Sequence, residues 1–227
     1  MFDGVRGFLH AGRSLESLNA LAKARGIRTE SGKPIRFVLP GADDPYYEIG
    51  VYQSGCVSTR PENLHDWFNA LAWLAFPRTK ARINALHARE LPKDPKGRRG
   101  PLRDLLTIFD EGGAIVTCDD EPLLALLRAA SWKALFWENR DRVRQELKIT
   151  VFGHAVQEQA LEPRLGITCK AIALPEGNLD ERVARWLGEV PPGASPKMLL
   201  PLPIFGYPGW SEGQDASFYE DKRYFRP

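Results

Sequence analysis

Apolar side chains occupy nearly every position of residues 63–77, which we predict to form a helix. After the first residue, Asn63, the exceptions are His65, Asp66 and Asn69, which all fall in its first two turns. Because a helix that is apolar on all sides belongs in a core, these polar groups must find partners there or face a cleft. The pattern therefore predicts a buried central helix with a polar group at its start.

Helical and strand periodicity alternate along the rest of the chain. Helical spacing predicts helices over residues 14–26, 79–90, 101–109, 120–127, 131–147, 153–161 and 178–188. Short apolar runs predict strands over residues 35–39, 114–117, 148–152 and 167–174. Looser alternation over residues 46–52, followed by Ser54 and Gly55, predicts a hairpin with residues 56–58.

These elements predict an α+β (or α/β) fold in a single globular domain spanning residues 1–227. It would contain a small mixed sheet, an N-terminal hairpin and the buried central helix. Residues 199–227 are rich in proline, glycine and aromatic residues and are too apolar for a disordered tail. We expect them to form an irregular C-terminal wrap around the body.

The net charge of +2 gives no global sign of nucleic-acid binding, but residues 78–103 hold nine basic and only two acidic residues. Residues 91–100 are rich in Pro, Gly, Lys and Arg, which predicts a flexible basic loop. A phosphate-bearing ligand or nucleic acid suits such a loop beside a histidine-bearing helix, and a solvated basic surface has the same composition. The residues expected to bind phosphate are Arg78, Lys80, His87, Arg98 and Arg99.

The cysteines and the hydropathy of the chain indicate the cellular compartment in which the protein functions. Cys56, Cys118 and Cys169 are widely spaced and odd in number, which proposes neither a zinc motif nor a disulfide framework and indicates a reducing compartment. No apolar run approaches the roughly 18 residues of a membrane helix. We expect a cytoplasmic protein with no membrane association, and the sequence leaves its oligomeric state open.

His65 is the first candidate for chemistry. At a helix start, the positive end of the dipole disfavours the protonated imidazole, and a neutral imidazole can ligate a metal or act as a general base. Asn69 lies one turn further along the same face. Asp66 could be a further ligand, or could reach back to the amide of the N-cap residue Asn63 in a capping box.

His154 lies at a second predicted helix start, directly after a strand, where α/β layouts often place functional groups. Glu158, one turn further on, could orient it or pair with it. A structural histidine bonded to a backbone carbonyl is the alternative. The candidate catalytic residues are therefore His65, Asp66, Asn69 and His154, and a divalent metal is the cofactor that this set could use.

The run His-Asp-Trp-Phe-Asn-Ala-Leu at residues 65–71 continues through Trp73 and Leu74 into Phe-Pro-Arg-Thr-Lys at residues 76–80. It resembles the signature of an uncharacterised, mostly proteobacterial family known as a domain of unknown function. Later segments are similar to further blocks of that family: residues 99–101, 109–111, 135–137, 152–154 and 208–210. The resemblance covers almost the whole chain and implies no activity, cofactor or catalytic residue.

A hairpin that leads into a helix with a histidine and an asparagine near its start also resembles the ββα-metal (His-Me finger) nucleases. In those folds a catalytic histidine normally ends the first strand, and helix groups hold the metal. This chain has Tyr46, Tyr47 and Glu48 near that position and no histidine in the predicted hairpin.

Three functions compete. The first is a histidine- or metal-dependent hydrolase acting on a phosphate-bearing substrate, which predicts that His65, His87 and His154 converge. The second is a non-catalytic module that binds nucleic acid or phosphate through residues 78–103. In the third, His65, Asp66 and Asn69 form a purely structural network between the helix and the hairpin.

Overall fold

The structure, a computed structural model, describes residues 1–42, 44–91 and 99–226. The α-helices are α1 (Leu15–Ala24), α2 (Tyr47–Ser54), α3 (Leu64–Ala75), α4 (Pro77–Glu90), α5 (Pro101–Gly112), α6 (Glu121–Arg128), α7 (Arg140–Glu146), α8 (His154–Gln159) and α9 (Leu179–Glu189). The strands are β1 (Arg36–Val38), β2 (Cys56–Ser58), β3 (Gly113–Thr117), β4 (Lys148–Val151), β5 (Cys169–Leu174) and β6 (Leu200–Leu202). A π-helical turn (Ala134–Glu138) precedes α7.

The main sheet has four strands in the order β4-β3-β5-β6. Strand β3 runs parallel to β5 and antiparallel to β4, while β6 runs antiparallel to β5. Every residue of β3 is buried, because helices or loops cover both faces of this central strand. The predicted α+β class and mixed sheet are confirmed, and three of the predicted strands appear as β3, β4 and β5.

Two hydrophobic clusters cover the sheet, one on each face. Ala114 and Val116 point into a cluster formed by α6, α7 and the C-terminal segment. Ile115, between them in sequence, points the other way and packs with Phe109 and Phe152 under α5 and α9. This alternation follows from the two-residue period of a strand.

A third cluster surrounds α3 and confirms the predicted central helix. The Asn63 side chain caps the helix by accepting a 2.9 Å hydrogen bond from the amide of Asp66. From Phe68 onward most side chains of α3 are buried against α1, β1 and β2. The return bond of a capping box is not made, because the Asp66 carboxylate accepts from the amide of Arg60 instead, at 2.8 Å.

The predicted N-terminal hairpin is wrong. Residues Tyr47–Ser54 form helix α2, and β1 and β2 pair in parallel, with Phe37 opposite Val57. Parallel strands need a crossover connection, and α2 provides it. Gly55, with a φ of 76°, ends α2 in the left-handed conformation that favours glycine, rather than forming a hairpin turn. Packing of this segment overrides the strand preference of its Tyr, Ile and Val residues.

The C-terminal wrap is regular in only a few places. It contributes the edge strand β6 and short 3₁₀ turns at Ile204–Gly206 and Phe218–Glu220. The hydroxyl of Tyr224 donates to the carbonyl of Ile167 at 2.7 Å and accepts from the amide of Phe205 at 3.0 Å. Most of the predicted basic loop, residues 92–98, lies outside the described residues. None of the described helices combines the length and apolarity that a membrane span requires.

The contact between the end of α5 and the start of α8 leaves no room for a side chain at Gly153. A Cβ atom there would lie 2.5 Å from both the carbonyl oxygen of Glu111 and the amide nitrogen of Gly113. We expect Gly153→Ala to lower the free energy of unfolding by about 1–3 kcal/mol or more, because backbone must shift to admit the methyl group. Urea denaturation measures this change.

Gly112→Ala is the matched control. A Cβ atom at this helical position would meet only Val156, at an ordinary 4.0 Å. We expect Gly112→Ala to be neutral or to stabilise by roughly 0.4–1 kcal/mol. Equal destabilisation by both substitutions would contradict this account of the Gly153 contact.

Candidate functional site

A cavity of about 360 Å³ opens between α2, α3, α5 and α8. Polar and ionisable side chains form most of its wall: Tyr47, Glu48, Ser58, Arg60, His65, Asp66, Asn69, His87, Thr107, Asp110, Glu111 and His154. The cavity therefore lies at the polar start of α3, whose side chains the sequence expects either to find buried partners or to face a cleft.

Three side chains converge on one point of this wall. The Nε2 atoms of His65 and His154 are 3.2 Å apart. An oxygen of Glu111 lies 3.7 Å from His65 Nε2 and 3.5 Å from His154 Nε2. Each residue offers one donor atom to a common position, the arrangement expected of a metal-ion site.

The sheet explains why Glu111 and His154 meet. Strand β3 begins at Gly113 and its antiparallel neighbour β4 ends at Val151, so the end of α5 and the start of α8 adjoin. Glu111 is near the end of α5, and His154 is the first residue of α8. Helix α3, which packs against α8, brings His65 to the same point.

The spacing of the donor atoms fits a bound cation. With bonds of about 2.0–2.1 Å, tetrahedral coordination places two donor atoms about 3.3–3.4 Å apart. The three observed separations are 3.2, 3.5 and 3.7 Å. A divalent ion therefore fits among these three groups with only small side-chain adjustments.

Hydrogen bonding sets the tautomer of His65. Its Nδ1 lies 3.0 Å from Oε2 of Glu158, and a carboxylate accepts a hydrogen bond, so Nδ1 carries the hydrogen. In the neutral form of the ring, Nε2 then presents a lone pair to Glu111 and His154, as a metal ligand must. The sequence-based pairing of Glu158 with His154 differs from the structure, in which Glu158 contacts the histidine of the neighbouring helix instead.

His154 has two neutral forms, and they distinguish a metal site from a hydrogen-bonded pair. Burial lowers the pKa of His154 to about 3, so the ring is neutral at physiological pH. With the hydrogen on Nδ1, which lies 3.9 Å from Asp110, the lone pairs of both Nε2 atoms face each other and Glu111, and a cation is needed between them. With the hydrogen on Nε2, His154 donates to His65 and no ion is required.

A buried ion pair between Lys80 and Asp110 lies next to His65, Glu111 and His154. Lys80 Nζ lies 2.6 and 2.7 Å from the two carboxylate oxygens of Asp110 and donates to Asn69 Oδ1 at 2.8 Å. Burial alone would raise the pKa of Asp110, but the Lys80 ammonium outweighs it and lowers that pKa. Asn69 in turn donates to the hydroxyl of Tyr47 at 3.1 Å.

Glu48 and His87 form a second pair of ionisable groups on the wall. Burial, reinforced by the charge of Asp110, raises the pKa of Glu48 to about 7. Burial lowers the pKa of His87 to about 4, so its ring is neutral and its Nδ1 accepts from Nε of Arg103 at 3.3 Å. Glu48 is therefore a carboxyl group that can exchange a proton near neutral pH.

The predicted catalytic residues His65, Asp66, Asn69 and His154 all line the cavity. Asp66 is already engaged, because the Arg60 guanidinium lies 2.7 and 3.0 Å from its two oxygens. The sequence reasoning missed Glu111, since Asp-Glu-Gly-Gly is also the composition of a turn. The one sequence feature that pointed to Glu111 was the family-like Phe-Asp-Glu block at residues 109–111.

The residues expected to bind phosphate do not come together. His87 lines the cavity, whereas all three ammonium hydrogens of Lys80 have acceptors within the fold. Arg78 is at a different cavity and pairs with Glu181 at 2.8 Å. Arg99 is exposed at the edge of the described region, and Arg98 lies outside it. Phosphate binding by this set stays a prediction.

A family model described as "Protein of unknown function (DUF3025)" matches residues 35–227, which is most of the chain. The chain belongs to this family. No curated protein and no solved structure matches the chain. The residues matched by the DUF3025 model include His65, Glu111 and His154 and do not include helix α1. The likeness to His-Me finger nucleases is not confirmed, and the parallel pairing of β1 and β2 removes the hairpin on which it relied.

Replacing Lys80 tests the ion pair that supports the site. We expect Lys80→Met to lower the free energy of unfolding at neutral pH by about 3–5 kcal/mol, because it leaves the buried Asp110 carboxylate without its cation. Lys23→Met, on the exposed face of α1, is the control and should change stability by less than about 0.5 kcal/mol. Urea unfolding measures both variants.

The pH dependence gives a second measurement on the same variants. Because the pKa of Asp110 is lowered in the folded state, the contribution of the pair is fully present above a pH of about 4 and is lost as the pH falls through the lowered pKa. The stability difference between the native protein and Lys80→Met should therefore shrink in acid. A constant difference from pH 7 to pH 3 would contradict this assignment.

Proposed function

We propose that this protein is a divalent-metal-dependent hydrolase whose ion is held by His65, Glu111 and His154. The observation that carries the proposal is the convergence of their three donor atoms, 3.2 to 3.7 Å apart, on the wall of a polar cavity. Two histidines and one glutamate are a ligand set of catalytic zinc sites, which leave a coordination position open for water or substrate.

A divalent ion in this position would lower the pKa of a bound water to about 7 and so supply a nucleophile at neutral pH. The protein's part is to hold the ligands in the correct protonation state and orientation. Glu158 fixes the tautomer of His65, whereas Nδ1 of His154 has no hydrogen-bond partner among the described residues and lies 3.9 Å from the Asp110 carboxylate. A carboxylate that accepts a hydrogen bond from the second nitrogen of a histidine ligand, as Glu158 does, is common in metal sites.

Glu48 supports hydrolysis over redox chemistry. Two histidines and a carboxylate also bind non-haem iron in oxygenases, so the ligand set alone does not choose between the two reaction classes. A carboxyl group on the same wall, with a pKa of about 7 caused by burial and by Asp110, suits proton transfer to and from water or a leaving group. We therefore assign Glu48 as the general acid–base.

The charges of the cavity wall bear on the substrate. A phosphate-bearing substrate remains a proposal taken from the sequence. Arg60, the arginine of the described cavity wall, is paired with Asp66, and the remaining charged groups there are largely carboxyl groups. A phosphate or acyl group would therefore bind mainly through the ion.

We also propose a cytoplasmic location. Cys56, Cys118 and Cys169 are all free thiols, and two of them are buried, as expected of a protein that functions in a reducing compartment.

Elemental analysis tests the metal site directly. We expect about one divalent ion per chain in protein purified without a histidine tag, and loss of that ion in His65→Ala, Glu111→Ala and His154→Ala. The exposed His10→Ala is the matched control and should keep its ion. Glu158→Gln should bind the ion roughly 10–100-fold more weakly, because it removes the carboxylate that orients a ligand.

A metal-free hydrogen-bonded network is the alternative, and the same experiment separates the two. If native protein takes up neither zinc nor manganese after dialysis, or if the ligand variants retain the ion, the proposal fails. Thermal denaturation of each variant establishes that ion loss does not simply report unfolding.

Kinetics test the catalytic assignment. We expect metal-loaded protein to cleave at least one of p-nitrophenyl acetate, p-nitrophenyl phosphate and bis(p-nitrophenyl) phosphate. Glu48→Gln should lower kcat by about 100-fold or more while leaving metal content unchanged, since general acid–base catalysis contributes that much. The exposed Glu162→Gln is the control. An unchanged kcat in Glu48→Gln would reject its role, and no cleavage of any ester would reject the hydrolase assignment.

A further inference from the structure

A second, larger cavity of about 700 Å³ is a groove between the segment after α1, the start of α4 and one face of α9. It shares no residue with the cavity of the proposed metal site. Five arginines contribute to its wall: Arg25, Arg28, Arg78, Arg82 and Arg185. The groove is therefore a concave and strongly basic surface.

Two of these arginines are neutralised within the groove. Arg78 pairs with Glu181 at 2.8 Å, and Arg82 lies 2.9 Å from Glu30. These pairs link α4 to α9 and to the segment after α1, so they hold the walls of the groove together. They leave the remaining arginines as its excess positive charge.

The other three arginines have no carboxylate partner among the described residues. The guanidinium of Arg25 lies 5.0 Å from the ring centre of Phe8. Arg28 donates through Nη1 to the carbonyl of Gly32 at 2.9 Å, which leaves its other hydrogens available. Arg185 is exposed on α9 and forms no ion pair with an acid in the described part of the chain, and Glu181, one turn away, pairs with Arg78. Three arginines thus line one concavity without an ion-pair partner among the described residues.

The helix end beside the groove is already satisfied. The amides of Arg78 and Thr79, in the first turn of α4, donate to the carboxylate of Asp180 at 3.0 and 2.8 Å. A ligand would therefore meet arginine side chains rather than free backbone amides.

We propose that this arginine groove binds a phosphate-bearing anion. Guanidinium groups form bidentate hydrogen bonds to phosphate oxygens, and several in one concavity match a ligand with more than one phosphate group. The volume lies within the range of ligand sites and exceeds what a single phosphate ion fills. No aromatic residue lines the groove, so recognition falls on phosphate groups rather than on stacked bases.

Such phosphate groups have two sources, a small polyphosphate compound or the backbone of a nucleic acid. The groove differs from the basic segment at residues 78–103 that the sequence singles out, because Arg25, Arg28 and Arg185 lie outside that segment. Arg25 and Arg28 also lie outside the region matched by the DUF3025 model. The inference is independent of the proposed hydrolase, since the two cavities are separate.

The experiment compares two triple variants with the same change in net charge. Arg25→Gln/Arg28→Gln/Arg185→Gln removes the unpaired arginines of the groove. The control, Arg144→Gln/Arg164→Gln/Arg223→Gln, removes three exposed arginines elsewhere. The probes are pyrophosphate, measured by calorimetry, and fluorescein-labelled single-stranded and duplex DNA, measured by anisotropy over a series of salt concentrations.

We expect native protein and the control triple to bind at least one probe with a Kd below about 1 mM. The groove triple should bind it at least roughly tenfold more weakly, and for DNA its salt slope should fall by about two to three units. Binding of pyrophosphate alone identifies a small polyphosphate ligand. Salt-dependent binding of DNA identifies a nucleic-acid backbone.

The proposal is overturned if native protein binds none of the probes in this range. It is also overturned if both triples lose affinity equally, because net charge rather than the groove would then be responsible. Arg185→Gln alone, which removes no hydrogen bond or ion pair among the described residues, provides a variant that should remain folded and should still weaken binding. Thermal denaturation of each variant completes the comparison.

Discussion

The buried ion pair between Lys80 and Asp110 joins the helices on which the candidate metal centre depends. Lys80 extends from α4 and contacts both α5 and Asn69 of α3. Asp110 then faces His154 on α8 and directly precedes Glu111 in the chain. Removing two charges from water is costly, and an apolar pair of similar volume would often be as stable. The hydrogen bonds of the ion pair instead link α3, α4 and α5, the first and last of which carry His65 and Glu111.

Local rules recover much of the fold from the sequence. Asn63 begins α3 as a good N-cap residue should, and Asp120 and Asn178 begin α6 and α9 in the same way. The strands of the main sheet follow from their apolar runs. Helix α2 could not be predicted from the sequence, because its tyrosines and branched residues favour strands in isolation and only its packing makes it helical. The wrong prediction of a strand here affects the site, since α2 places Tyr47 and Glu48 on the cavity wall.

Only part of the candidate site could be predicted from the sequence, because its residues are brought together by packing between distant segments. His65 and Asn69 are conspicuous because polar groups are unexpected in an apolar helix. Their partners are not conspicuous, since Glu158 is 93 residues from His65 in the chain and His154 is 89 residues away. Periodicity describes neighbours within a helix, which is why it assigns Glu158 to His154. Only the packing of α3 on α8 shows that Glu158 contacts His65.

The C-terminal wrap has a consequence for how the protein is made. Until residues 200–202 have left the ribosome, the outer edge of β5 has no strand beside it. The cluster on one face of the sheet also lacks Phe205, Tyr224 and Phe225, which come last in the described chain. A nascent chain thus exposes an unpaired strand edge and a half-filled apolar surface, both of which promote aggregation. Chaperones that bind extended apolar segments would find a binding site on the chain during this interval, because the sheet is completed only after residues 200–202 have been made.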